Sequence, residues 1–375
     1  MKPRAIFISN KNYFDNSKQE GGVRQCTLEY LTLIETIYEV IIFKVDYNID
    51  LIYRLRVKFG LNIYNDYKSK YYEQELIDLI KLNRANIVFL NLSNTAPFAT
   101  VIKNEFGNKV KVVLCSHGNE SGDLLHETVR FRDKLSFVKK LFSSFTLGSV
   151  LQKESFFRQN AIDAVLTVSE IEEALEKWIG SRYVLMIPRK IELNQLNHKP
   201  VLGRVGFMGD LSHAPNFYGI DEVCKSISKH VNSSNIHLHI IGSPSSIGES
   251  LSKKYPFVHY TGYLDEENLI KQASTWTFFL NPVFYYSRGV STKLAKALGW
   301  NIPIITTTIG CRGYVWDDGS LIFAETPQDF CNQIFNLSND MSAIQNAKKE
   351  RDKIISSSYS LLEISNKLRI FLHKI

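Results

Sequence analysis

The sequence predicts an α/β protein of two domains, and three observations carry that prediction. The chain has 375 residues, more than one ordinary hydrophobic core accommodates. Short apolar, β-branched runs alternate along it with segments of helical periodicity, the pattern of a parallel sheet covered by helices. A polar, aperiodic stretch that ends in proline, Glu192–Pro200, separates two such series. The boundaries drawn from it are 1–195 and 196–355, with 356–375 as a terminal helix.

Composition narrows the class. Hydrophobic residues make up 44% of the chain and charged residues 22%, the balance of a soluble globular protein. The first ten residues, MKPRAIFISN, read as a short strand rather than a signal peptide, and no apolar run approaches the roughly 20 residues of a membrane span. Cys26, Cys115, Cys224, Cys311 and Cys331 are odd in number, widely spaced and free of a CxxC pair. This usage points to a reducing compartment, and so to the cytoplasm, and away from disulfides or structural zinc. Net charge is +7. Residues 130–158 hold seven basic and two acidic residues, so five of the excess charges sit there. Phe131, Leu135, Val138, Leu141, Phe142 and Phe145 recur through that segment at helical spacing. It reads either as a basic amphipathic helix lying on an anionic membrane or as a core-facing helix with a solvated basic side. No nucleic-acid recognition motif accompanies the charge.

In the first series, Ala5–Ser9 reads as a strand, followed by a polar loop that ends in Gly21-Gly22 before the helical pattern Val23–Ile37. A double glycine at this place lets a phosphate or sugar approach the backbone. Glu39–Phe43 reads as a strand, and 46–72 as irregular. Glu73–Leu82 and Pro97–Phe106 read as helices, Asn86–Leu90 and Lys109–Cys115 as strands. The last of these ends in Ser116-His117-Gly118-Asn119-Glu120. A histidine leaving a parallel strand at its carboxyl end stands where α/β sites gather, and its imidazole can donate to or accept from a hydroxyl. Glu120 reads either as a site carboxylate or as a helix cap. Asp163–Val168 is a strand, Ser169 opens an acidic capped helix, and Tyr183–Ile187 is the strand that closes the series.

The second series opens with the strand Arg204–Met208, then Gly209, a loop containing His213, and a helix over Phe217–Lys229. His237 and His239 share a strand face, but no third ligand lies near in sequence, so they read as structural. Gly242–Gly248 lacks GxGxxG spacing and reads as a turn. Strands Val258–Gly262 and Trp276–Leu280 flank the helix Glu266–Ala273. Asn281–Gly313 then gives loop, helix and a buried strand, Ile302–Thr306. Arg288, Gly289, Val290, Ser291, Thr292 and Lys293 lie where the helix begins, and an opening helical turn has unpaired N–H groups suited to an anion. Two full positive charges beside those donors suit a diphosphate. Helices over 341–358 and 360–374 end the chain.

Three of these stretches resemble the group 1 glycosyltransferases, retaining enzymes of the GT-B fold. Gly289, Leu294, Ala297, Leu298, Pro303, Ile304, Ile305 and Thr306 fit the donor-sugar motif of that family. The run 161–192 resembles the end of its first domain, and His117 with Glu120 is similar to a His-Asn-x-Glu signature, with glycine intervening here. The resemblance implies two Rossmann-like domains facing a cleft, an acceptor domain and then a nucleotide-sugar donor domain, with the C-terminal helix bracing the first. It implies transfer from a UDP- or GDP-linked sugar to a glycan or lipid-linked acceptor, in bacterial-type surface polysaccharide synthesis and with retention. Catalytic roles then fall to His117 and Glu120. Donor binding falls to Gly22, Gly209, His213, Arg288, Gly289, Val290, Ser291, Thr292 and Lys293, and acceptor binding to Gly21 and Arg24. No metal is implied, since no DxD pair stands in a cleft-loop context. The expected place is the cytoplasm, at the inner face of its membrane if 130–158 lies on lipid.

The chain departs from the family at two positions. Where glutamates typically stand eight residues apart, it has Arg288 and Lys296. Either the donor is gripped differently, or the protein is a GT-B-shaped nucleotide-sugar-binding or partner subunit without turnover. A third class, sugar-nucleotide epimerase, lacks a recognisable acid and base pair at the spacing that reaction uses.

Overall fold

The computed structural model describes residues 2–15, 21–58, 61–130 and 137–375, apart from the side chains of Val138, Lys139 and Leu141. The chain divides into two compact units. The first holds Met1–Pro188, Ser287–Val290 and Ser360–Ile375, and the second holds Arg189–Tyr286 and Ser291–Tyr359.

The first unit is built on a six-stranded, wholly parallel sheet. Its strands are β1 (Arg4–Asn10), β2 (Glu39–Val45), β3 (Ile87–Asn91), β4 (Lys111–Cys115), β5 (Ala164–Thr167) and β6 (Val184–Met186), in the order β2-β1-β3-β4-β5-β6. The central strands are nearly continuous apolar runs because helices cover both sheet faces. Those helices are α1 (Gly22–Glu35), α2 (Leu51–Lys58), α3 (Glu73–Asn83), α4 (Pro97–Phe106), α5 (Glu120–Arg130), α6 (Phe137–Asn160) and α7 (Glu170–Trp178). Ile6, Val88, Leu90, Val112 and Leu114 from the sheet pack with Leu76, Ile80, Phe98 and Ile102 in one core cluster. A capping box at Ser360 and Glu363 opens α14 (Leu361–Leu372), whose Ser365 hydroxyl meets that of Thr36 at 2.6 Å beside the end of α1.

The second unit repeats the plan with β7 (Arg204–Met208), β8 (His237–Ile241), β9 (Val258–Gly262), β10 (Phe278–Asn281), β11 (Ile304–Thr306) and β12 (Ile322–Phe323). All pairings are parallel, and the order is β12-β11-β10-β7-β8-β9. This is the doubly wound order of dinucleotide folds, with its reversal between β7 and β10. Its helices are α8 (Ala214–Ser228), α9 (Ser245–Lys254), α10 (Glu266–Ala273), α11 (Thr292–Gly299), α12 (Pro327–Leu337) and α13 (Met341–Ser357). Gly219 lets α8 sit flush against the chain leaving β10, since a Cβ there would stand 1.8 Å from the Pro282 carbonyl oxygen.

Two local expectations are corrected. The stretch 46–72 is not wholly irregular: it contains α2 and a 3-10 turn, Ser69–Tyr72. Helix α2 has no buried residue, so no core-facing period marks it in the sequence. The 242–248 segment is a turn only in its first half, because α9 begins at Ser245 with Pro244 as its N-cap. His237 and His239 stand on the exposed end of the sheet with His259, and His237 Nδ1 meets His259 Nε2 at 3.0 Å. Among the described residues no group of three or more His, Cys, Asp or Glu could hold a metal ion. All five cysteines are free thiols.

Candidate functional site

In the first unit the loop after β4 is held from several sides. His117 is buried, and its Nε2–H donates to Asn91 Oδ1 at 2.9 Å, where Asn91 ends β3. The amide orientation is fixed because Asn91 Nδ2 donates to Ser9 and Thr27, each at 2.9 Å. The histidine therefore stands at the carboxyl edge of β1, β3 and β4, where open parallel sheets bind ligands. Gly118 has a φ of +114°, a left-handed value that side chains resist. A Cβ there would also lie 2.6 Å from both Arg288 Cβ and the Gly289 nitrogen, so glycine is required. Asn119 Nδ2 donates to Glu176 Oε1 at 3.1 Å. Glu176 is fully buried and clamped by Arg158, whose Nη2 and Nε donate to its two oxygens at 2.9 and 3.1 Å. The remaining Arg158 bonds go to Tyr64 and Ser93, so this buried charge pair is closed by hydrogen bonds on several sides.

Glu120 opens α5, where its backbone N–H donates to Glu154 Oε1 at 2.8 Å. Its own carboxylate is ion-paired with the Arg288 guanidinium, and Asp123 lies on the same guanidinium at 3.5 Å. Burial holds the Glu120 carboxyl above the usual range, with Arg288 opposing and Glu154 and Asp123 reinforcing the shift. Glu120 in turn raises the pKa of Arg288. The amides of this loop are also engaged: Arg288 N–H donates to Asp123 and Gly289 N–H to Glu172, at 3.3 and 3.2 Å. Arg288 and Gly289 are thus brought together with His117 and Glu120, and their donors face carboxylates. Gly21 is the N-cap of α1, Gly22 its first residue, and Arg24 Nε donates to the Tyr13 carbonyl at 3.2 Å.

In the second unit a different cluster gathers at the reversal of strand order. Lys293, in the first turn of α11, donates from Nζ to Asn216 Oδ1 at 2.5 Å, and the ammonium stands 4.6 Å from the Phe207 ring centroid. Its Cδ passes 3.7 Å from where a Cβ on Gly209 would be. Asn216 Nδ2 donates to the Asp210 carbonyl at 2.8 Å, which fixes the orientation of its amide oxygen. Lys293 therefore lies over the end of β7, against the start of α8, with a neutral amide as partner. Among the described residues no carboxylate is within ion-pair distance of it. Burial draws its pKa down to about 7. His213 is the N-cap residue of α8 and accepts there through its carbonyl from Asn216 N–H at 3.0 Å.

Ser291 is the N-cap of α11. Its hydroxyl accepts from Leu294 N–H and donates to Asn281 Oδ1 at 3.1 Å, so it holds the helix start to β10. Thr292 is the first residue of α11, and Val290, like Arg288 and Gly289, groups with the first unit. Lys296, the other basic residue where the resemblance implies glutamate, pairs with Glu266 at 2.5 Å. Each reversed charge thus has a carboxylate from elsewhere in the chain. Sequence reasoning missed Asn216, although it follows Pro215 at a helix start after a glycine-bearing strand end. It also missed Asn91, Asp123, Glu154 and Glu172, which lie far along the chain from the groups they hold.

Residues 203–340 match the sequence model of the family described as Glycosyl transferases group 1, so the second unit carries a glycosyltransferase domain. No curated protein matches the chain. Among solved structures, a sucrose-phosphate synthase from Thermosynechococcus elongatus is 14% identical, with a TM-score of 0.69 over 100% of this chain and 99% of that one. Anabaena Alr3699/HepE, solved with UDP and glucose, is 11% identical, with a TM-score of 0.61 over the whole of both chains. The lipopolysaccharide outer core galactosyltransferase WaaB, in its apo form, is 14% identical, with a TM-score of 0.60 over the whole of both. At these identities the likeness establishes the fold: two Rossmann-like domains of the GT-B type.

Proposed function

We propose that this glycosyltransferase moves a sugar from a UDP- or GDP-linked donor to a glycan or lipid-linked acceptor, with retention, in surface polysaccharide synthesis. The observation that carries the reading is Lys293 at the β7/β10 reversal, a cation whose partner is an amide. A buried ammonium without a counter-charge is costly, and a diphosphate supplies that charge. As the bond to the sugar loosens, negative charge grows on the departing diphosphate, so a donor aimed there lowers the barrier. The Alr3699/HepE structures, solved with UDP or UDP-glucose, favour a uridine donor on grounds of shared fold. In this reading His117 and Glu120 serve an acceptor or sugar hydroxyl, and Gly21, Gly22 and Arg24 shape the acceptor side. Diphosphate charge is met by protein groups, so chelation with EDTA is expected to leave turnover unchanged.

A second reading is a nucleotide-sugar-binding partner without turnover. It is favoured by the carboxylate partners of Arg288 and Lys296, which occupy both basic groups. A thermal-shift screen against nucleoside diphosphates, followed by assay of their release from a panel of nucleotide sugars with glycan acceptors, separates the two. Stabilisation by a diphosphate with turnover supports the enzyme, and stabilisation with no turnover supports the partner. No stabilisation by any nucleotide ends both.

No helix among the described residues is long and apolar enough to cross a membrane. A lipid-linked acceptor asks for peripheral contact at the inner membrane face, and the basic segment 130–158 suits it in part. Phe137, Phe142 and Phe145 of α6 are exposed, while Phe131 and Leu135 lie outside the described residues.

A further inference from the structure

The stretch 46–72 has no role in the site, yet it carries an unusual surface. Five large apolar side chains within nine residues face solvent: Ile49 (77% exposed), Leu51 (73%), Ile52 (63%), Leu55 (50%) and Val57 (48%). Helix α2 buries none of its residues. Its inward contact is polar: the Tyr53 hydroxyl donates to Asp66 Oδ1 at 2.8 Å, which fixes the helix face that points out. Leu51, Ile52 and Leu55 share one helix face by their spacing, and an exposed apolar face of this kind marks a contact surface.

The charges on the same helix indicate what covers it. Arg54, Arg56 and Lys58 lie in α2 with no acidic residue among them, and no carboxylate pairs with any of the three among the described residues. Asp50, just before the helix, is paired with Lys68 at 3.1 Å. Arg56 also lies close enough to Lys153 of α6 to disfavour its charge, after the effect of burial. Lys153 and Arg56 are therefore near one another within the first unit, while the exposed Phe142 and Phe145 stand about two to three turns earlier in α6. Cations crowd here beside apolar side chains, and a negatively charged partner with an apolar interior relieves both features.

We propose that residues 49–58 form an interfacial surface that seats the protein on an anionic lipid bilayer. Leu51, Ile52 and Leu55 enter the headgroup boundary, and Arg54, Arg56 and Lys58 lie at the phosphates, the arrangement of an in-plane amphipathic helix. This extends the membrane half of the proposed function and shifts its centre from 130–158 to α2. It stands independently of the sugar-transfer half.

The test is flotation of the full chain with phosphatidylcholine vesicles and with vesicles containing about 30 mol% phosphatidylglycerol, at about 50 and about 500 mM NaCl. The unsubstituted protein is expected to float with the anionic vesicles at low salt and to be released at high salt. Ile52→Ser/Leu55→Ser and Arg54→Gln/Arg56→Gln are each expected to lower the partition about tenfold or more. Circular dichroism and the thermal shift given by UDP are expected to stay unchanged in both variants, which separates a lost surface from a lost fold. Unchanged flotation of both variants, with loss in Phe142→Ser/Phe145→Ser, would return the contact to α6 and overturn the proposal. Absence of flotation would overturn it too, as would a dimer in light scattering that the α2 substitutions dissociate. A null flotation result with intact UDP stabilisation would leave the transferase reading standing.

Discussion

The Arg288 guanidinium is ion-paired with the Glu120 carboxylate, and the backbone N–H of the same residue donates to Asp123 at 3.3 Å. A cation already faced by two carboxylates adds little to binding a further anion. Arg288→Ala is therefore expected to change UDP affinity by less than about threefold, and to lower stability by about 1–2 kcal/mol, the ion pair being only part-buried. The pH dependence follows from Glu120. Its pKa already lies above the ordinary carboxylate value through burial, and loss of Arg288 raises it further. An acid whose folded pKa is raised is favoured neutral in the fold, so the variant loses stability as pH rises from the ordinary carboxylate value through the raised one. Urea denaturation at about pH 5 and about pH 8 should show the larger loss at the higher pH. Equal losses would mean that Glu120 is not the group left exposed to the change.

Lys293 has the opposite standing. With Asn216 as partner, its pKa is drawn down to about 7 by burial, so its charge changes near neutrality. The fold disfavours the ammonium, so the ligand-free protein gains stability as pH rises from about 7 toward the ordinary lysine value. Diphosphate affinity should move the other way, falling as pH rises through about 7. Titration calorimetry with UDP on either side of that pH checks the sign. Lys293→Ala is expected to weaken binding about 10- to 100-fold. Lys293→Arg, charged at every pH tested, should flatten the profile; a profile of unaltered slope would assign the titration to another group.

The fold was largely legible because its strands are buried on both faces. IFI, IVFL, VVLC and AVL are continuous apolar runs, and each lies in a strand. Helix α7 announced itself through Ser169, whose hydroxyl accepts from Glu172 N–H. Helix α2 did not, since its apolar residues touch solvent rather than the core, and periodicity reports only a face that something covers. Within the site, residue types at strand ends could nominate His117, Glu120, Arg288 and Lys293. Their partners could not be read, because Arg288 and Asp123 are 165 residues apart and local pattern carries no record of such a contact. Sequence grouped Arg288 with Lys293 as a joint diphosphate clamp, whereas the structure gives one a pair of carboxylates and the other a neutral amide.

Arg158 and Glu176 are both fully buried, joined by two hydrogen bonds, and Asn119 of the His117 loop is bonded to the same carboxylate. Removing one partner leaves a charge in an apolar interior. Arg158→Met is expected to cost about 3–5 kcal/mol, and the double change Arg158→Met/Glu176→Leu about 1–2 kcal/mol less than that. Urea denaturation followed by circular dichroism checks both values. A double variant as unstable as the single one would mean that the hydrogen bonds to Asn119 and Ser181, rather than the stranded charge, set the cost.

His117 gives the sharpest separation between positioning and stability. Its Nε2–H donates to Asn91 Oδ1, which fixes the orientation of the ring at the carboxyl edge of the sheet. His117→Gln can keep a donor toward Asn91 while losing a group able to take up a proton. Its turnover is expected to fall by about 10²-fold or more with little change in UDP affinity, as for loss of a general base. His117→Ala leaves Asn91 Oδ1 buried without its donor and should lower stability as well, by about 1–3 kcal/mol. Steady-state kinetics and UDP calorimetry on both variants check this. If the glutamine variant lost nucleotide affinity in step with turnover, the histidine would be a donor-binding group rather than one serving the hydroxyl.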